Sequence, residues 1–193
     1  MKIAMGGPPH SGKSILRERL KTQLRVLEPD LYPYFLSTNP DGEGAWFQQT
    51  YEHDPSLATA LKREAKHPWS PERALLYANW VAECPQPLTF IDLGGKIDSY
   101  NRDICSAATH AIVLAPCDQD LVPWREFFVS CGLPVIAELI SDYHAASDIV
   151  ESVTTPFRAR IHRLERGDLA SPRPGVTALA HFVLQQLVPL IAD

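Results

Sequence analysis

Gly7-Pro8-Pro9-His10-Ser11-Gly12-Lys13-Ser14 is the stretch that decides the fold. It matches G-x-x-x-x-G-K-[ST], the pattern of a loop that cradles phosphate groups between a strand and a helix. Both flanks fit that setting. Upstream, Lys2 to Gly6 is a short apolar run; downstream, Leu16, Leu20, Leu24 and Leu27 recur at helical spacing on a helix that begins near Lys13. Each residue type in the loop has a physical reason. Small residues let successive backbone N–H groups converge on phosphate oxygens, and the helix N-terminus adds partial positive charge. Lys13 is placed to reach the β- and γ-phosphates, and Ser14 to put its hydroxyl on a magnesium ion bridging them. Gly7, Pro8, Pro9, His10, Ser11 and Gly12 frame the loop, with His10 read equally as a merely exposed residue.

Outward from the loop, strands alternate with helices. Tyr32 to Ser37 reads as a strand ended by Asn39-Pro40-Asp41-Gly42, followed by helices at about Pro55 to Lys66 and Pro71 to Cys84. Pro87 to Leu93 is almost continuously apolar until Asp92, as expected of a central parallel strand buried on both faces. His110 to Ala115 and Pro134 to Ile140 are further strands, Trp124 to Cys131 a helix, and Thr177 to Ile191 a packing helix. The expectation is an α/β fold of the P-loop NTPase kind: a central parallel five-stranded sheet with helices on both faces and ligands outside the carboxyl ends of the strands. Asp92 ends a buried strand and is read as the Walker B carboxylate, holding magnesium opposite Ser14. Leu93-Gly94-Gly95 leaves no acidic neighbour beside it, which by fold-level analogy points to the kinase and GTPase-like branch. Asp92 to Gly95 also has the Asp-x-x-Gly form of a turn that senses a γ-phosphate. No Asn-Lys-x-Asp motif is present, so ATP is favoured over GTP.

The 193 residues are expected to form one nucleotide-binding domain, residues 1–193. Hydrophobic residues at 45% and charged residues at 21% exclude a disordered or fibrous chain. A formal charge of -5 gives no global positive field for nucleic acid or anionic lipid. Cys84, Cys105, Cys117 and Cys131 are dispersed, and are read as reduced, semi-buried thiols rather than a zinc or disulfide framework. With no signal-like or membrane-spanning apolar run, the expected compartment is the cytoplasm. The 17 prolines fall mostly at junctions between short elements.

Further candidates follow the strands. Asp41, with Glu43 behind it, stands where small-molecule kinases present an acid to an acceptor hydroxyl, although Asp-Gly is also a common turn. Trp46, Phe47 and Tyr51 are spaced to line a pocket or to fill the core. Arg158, Arg160, His162, Arg163, Arg166 and Arg173 make a locally basic segment from which an arginine could clamp transferring phosphoryl groups. His144 follows the last predicted strand and is given no role.

Met5 to Ser14, Pro40 to Phe47, Phe90 to Lys96 and Ser141 to His144 together resemble the P-loop domain, often labelled AAA, that is fused to or accompanies the CRISPR-associated ring nuclease of type III systems. The resemblance implies nucleotide binding by Gly7 to Ser14 and Asp92. It also implies an accessory role in antiviral signalling beside a partner that degrades cyclic oligoadenylate. The ring-degrading activity itself is not implied, since the nuclease half is not in this sequence. The first functional expectation is an ATP- and magnesium-dependent phosphotransferase, with Lys13, Asp41 and Asp92 catalytic and a nucleotide or RNA end as acceptor. The alternative is a regulatory ATPase switch that changes homo-oligomer or partner contacts, and a third is a module that only holds a nucleotide messenger.

Overall fold

The computed structural model describes residues 1–38, 46–65, 68–165 and 173–191, except for the side chains of residues 46, 48, 49, 52, 65 and 188–191. The elements run β1 (Lys2–Gly6), α1 (Lys13–Leu27), β2 (Tyr34–Ser37), α2 (Trp46–His53), α3 (Pro55–Ala65), α4 (Pro71–Glu83) and β3 (Thr89–Asp92). They continue with α5 (Ser99–Cys105), β4 (His110–Ala115), α6 (Asp118–Ser130), β5 (Val135–Asp142), β6 (Ile149–Ser152), β7 (Phe157–His162) and α7 (Pro174–Ile191).

The sheet has seven strands, not five, in the order β2-β3-β1-β4-β5-β7-β6. All neighbours are parallel except the edge pair β6 and β7. The two additional strands lie in the basic segment and just before it. Phe157, Ala159 and Ile161 are buried while Arg158 and Arg160 on the alternate positions are not, so this stretch is a half-buried strand. Helix α6 begins six residues earlier than the apolar spacing suggests, because Pro123 sits inside it and reads in sequence as a boundary.

Two cores form, one on each face of the sheet. On one face Ile3, Met5, Phe90, Ile112, Leu114 and Leu139 meet Leu16, Leu20 and Leu24 of α1 and Leu179, Phe182 and Val183 of α7. On the other Ala4, Ile91, Ala111 and Val113 meet Val81 of α4, Ile104 of α5 and Trp124, Phe127 and Phe128 of α6. Alternate residues of β1 and β4 feed opposite cores, which explains why those strands are apolar throughout. Gly6 is required by this packing: a Cβ there would lie 2.5 Å from Phe128 and 2.6 Å from Trp124.

From β1 the chain passes to β2 and β3 on one side, and then crosses to β4 and β5 on the other. The loop after β1 therefore opens at the reversal of strand order, where α/β sheets form a crevice. Among the described residues no helix is long and apolar enough to cross a membrane.

Candidate phosphate-binding site

The loop from Gly7 to Gly12 is shaped by three backbone conformations. Gly7 has φ 154°, and a Cβ there would stand 1.9 Å from the carbonyl oxygen of Leu114 on β4. Gly12 takes φ 88° as the N-cap of α1, and His10, exposed at the loop's tip, takes φ 63°. Only a residue without Cβ fits the first of these, because the obstacle is a neighbouring strand's backbone and cannot move aside. Ser11 N–H donates to Pro8 O at 3.4 Å, closing the bend. The Ser11 hydroxyl is buried and has no hydrogen-bond partner among the described residues. A buried polar atom in that condition marks a place built for a polar ligand or water.

Lys13 opens α1, is largely buried, and its Nζ donates to Gly7 O at 2.8 Å and Pro8 O at 2.9 Å. The ammonium thus lies against the loop's own carbonyls. Ser14 follows in the first turn of α1, half-buried. Behind the loop, Gly12 packs beside Leu164 and Ser141, so the ends of β5 and β7 border it.

Asp92 is 1% exposed at the carboxyl end of β3 and pairs in register with Met5 of β1 and Ser37 of β2. No strand separates it from the strand that carries the loop. Thr38 N–H and its hydroxyl both donate to Asp92 O, at 3.1 and 2.9 Å. Its carboxylate accepts from Arg17 Nη1 at 2.8 Å. Arg17 is a site residue that sequence reading missed. It is 1% exposed and donates from Nε to Glu18 at 3.0 Å, and Glu18 pairs in turn with Lys21. An arginine between apolar helix positions reads as solvated, and no local pattern announces its burial.

Past Asp92, the turn at Gly94-Gly95 lies directly on the loop: a Cβ at Gly95 would stand 2.8 Å from Pro9 N. Asn101 of α5 is fully buried, and its Nδ2 donates to Gly94 O at 3.0 Å and Lys96 O at 2.6 Å. Asp98 caps α5 through Asn101 N–H at 2.9 Å. The turn after β3 is therefore held between the loop on one side and a helix on the other.

The remaining candidates divide. Asp41 and Glu43 lie outside the described residues, as does Arg166. Phe47 is buried beside Tyr51, with Lys62 of α3 over its ring, which is a core contact; the side chain of Trp46 is outside the described set. Arg158 pairs with Glu138 of β5 at 2.9 Å, and Arg160 with Glu151 of β6 and Asp118 of α6 at 2.7 and 3.2 Å. His162 contacts Asp148 at 2.6 Å, and Arg173 donates to Arg163 O at 3.4 Å. Arg158 and Arg160, two of the candidates for an arginine clamp, instead hold strands and α6 together. Exposed His144 stands in a turn closed by Asp142, which accepts its N–H at 3.0 Å. The cysteines are free thiols, with Cys105 buried, Cys84 and Cys131 half-buried and Cys117 exposed.

No family model and no curated protein matches the chain. Among solved structures, it is similar to a protein of Borrelia burgdorferi B31 described as a plasmid partition protein and crystallised with AMPPNP. The TM-score is 0.61 at 11% identity over 96% of this chain and 98% of that one. The likeness is one of fold. It supports the α/β architecture of a mostly parallel sheet with helices on both faces and lends nothing to the ring-nuclease association.

Proposed function

We propose that the chain binds ATP with magnesium at the loop between β1 and α1, and hydrolyses it as a conformational switch. The observation that carries this reading is the seating of the Asp92–Gly95 turn on Pro9, with Asn101 fastening that turn to α5. A change at the phosphates must then be felt by α5, because the turn touches the loop through backbone and has no slack side chain between. The parallel pairing of β1 with β3 supports the kinase and GTPase-like branch.

The residues fit the ligand. The unpartnered Ser11 hydroxyl and the Cβ-free cradle at Gly7 suit phosphate oxygens, and the AMPPNP bound to the similar structure favours an adenine nucleotide. Lys13 would exchange the Gly7 and Pro8 carbonyls for the β- and γ-phosphates. Ser14 and Asp92 are the oxygen donors that would hold magnesium, whose charge offsets that of the phosphates. Arg17 stands one helical turn after Ser14 and touches Asp92, so the Ser14 face of α1 is the face turned toward that carboxylate. Asp41, the base of the phosphotransferase reading, lies outside the described residues, whereas the Asp92–Gly95 turn is seen against the loop, and that contact favours hydrolysis. In this reading residues 1–193 act as one cytoplasmic domain, and the switch changes oligomer or partner contacts; a ring nuclease as partner stands on the sequence resemblance alone.

Incubation with labelled ATP and magnesium, alone and with nucleosides, nucleotides and short RNAs, tests it. Phosphate release without an acceptor is expected. Label moving to an acceptor restores the phosphotransferase, and calorimetry without heat for any adenine nucleotide sinks both.

A further inference from the structure

Arg17 and Asp92 form an ion pair that is dry on both sides, with side chains 2% and 1% exposed. Burying a carboxylate is costly unless a cation compensates it, and Arg17 is a cation in direct contact with the Asp92 carboxylate. Asp92 is also the carboxylate that the reading above assigns to magnesium, on which this inference rests. Two cations cannot both take full advantage of one carboxylate at contact distance, because each reduces the negative potential the other meets.

We propose that Arg17 is the resident cation of the magnesium site: it compensates Asp92 when the metal is away and weakens the metal's hold when it arrives. Arg17 acts through Asp92 and is a tuning residue, not a catalytic one. Glu18 sets the strength of this competition. It accepts from Arg17 Nε at 3.0 Å on the side away from Asp92 and draws part of the guanidinium's charge to itself, while Lys21 shares Glu18. The Nη2 of Arg17 is buried without a hydrogen-bond partner among the described residues. The guanidinium therefore has a donor in reserve and holds Asp92 through Nη1 alone, without a two-pronged fork. Such an arrangement lets the site release magnesium and product without leaving a buried bare carboxylate behind.

The two neighbours give the inference a signature that general loosening of the fold cannot imitate. Arg17→Met removes the competing charge, and the magnesium concentration that half-saturates binding of a fluorescent ATP analogue should fall by about tenfold. Glu18→Gln leaves Arg17 more fully on Asp92, and the same concentration should rise several-fold. Thermal midpoints measured with and without magnesium, in the absence of nucleotide, give a readout apart from turnover. Magnesium should raise the midpoint of Arg17→Met more than that of the wild type. If Arg17→Met does not fold, Arg17→Gln and Glu18→Gln carry the test. Shifts in the same direction for both positions, or none, overturn the role given to Arg17 even when the wild type binds the analogue. A wild type that binds no analogue overturns the ATP reading, and this inference with it.

Discussion

Lys13 is the residue whose removal separates binding of the phosphate tail from integrity of the loop. Two of its hydrogen bonds go to carbonyls of the loop itself, which water can reach once the side chain is gone. Lys13→Ala should therefore lower phosphate release by about 100-fold or more, while the thermal midpoint moves little; a variant that hydrolyses ATP at the wild-type rate would falsify the site. Gly7 and Gly132 make a matched pair. Both have positive φ, but a Cβ at Gly132 meets nothing within 4 Å, whereas at Gly7 it meets the Leu114 carbonyl oxygen. Gly132→Ala should cost only about 1 kcal/mol of backbone strain. Gly7→Ala should cost about 3 kcal/mol or more, because the neighbouring strand has to shift. Equal losses in chemical denaturation would mean that the close approach is not what makes Gly7 necessary. At this scale the sequence was informative where chemistry leaves a spacing pattern, as from Gly7 to Ser14, and silent where it does not. Arg17 and Asn101 owe their importance to partners 75 and 7 residues away, and neither residue type is diagnostic of burial.

In the proposed switch, helix α5 would take up what the turn after β3 senses, so its buried Asn101 amide is the place to break the link. Asn101→Ala leaves two turn carbonyls without their donor and should cost about 2 kcal/mol. It should also slow hydrolysis by about tenfold through misplacement of the turn, with nucleotide affinity nearly unchanged. Ser70→Ala is the matching control: it removes the cap that accepts from Arg73 N–H at 3.3 Å on α4. That change should cost about 1 kcal/mol and leave hydrolysis alone. Should both variants slow hydrolysis alike, the effect belongs to stability and not to the turn. Elements with continuous apolar content or strong caps were legible, and β1 and β4 have the predicted bounds. Helix α5, seven residues long with little apolar periodicity, was not. Nor were β6 and β7, where the charge on Arg158 and Arg160 drew attention away from the period-two burial of Phe157, Ala159 and Ile161.

Sheet order is the property of the whole molecule that makes a site out of these parts, and it is the least local. That β1 lies between β3 and β4 brings Asp92 to Gly7 across 85 residues of chain, and no pattern in either segment states the neighbour of the other. What stabilises the order is the pair of cores, and α7 closes one of them from the far end of the chain. Val176, Leu179, Phe182, Val183 and Leu187 are all at most 3% exposed, and Thr177 of α7 bonds Gln23 of α1 at 3.0 Å. Burial of five such side chains contributes roughly 10 kcal/mol, comparable with the whole net stability of a domain this size. The helix that bears Lys13 is thus packed against one that carries no site residue, and the two should melt together. Phe182 is the probe, since its ring sits on Phe157 of β7 at 5.4 Å. Phe182→Ala should cost about 3–5 kcal/mol and lower the thermal midpoint by about 10 °C. Unfolding should stay one transition, and an ATP analogue bound at the loop should raise the midpoint of variant and wild type by similar amounts. An early transition that removes α7 while analogue binding persists would show that the phosphate loop is supported by the sheet and α1 alone.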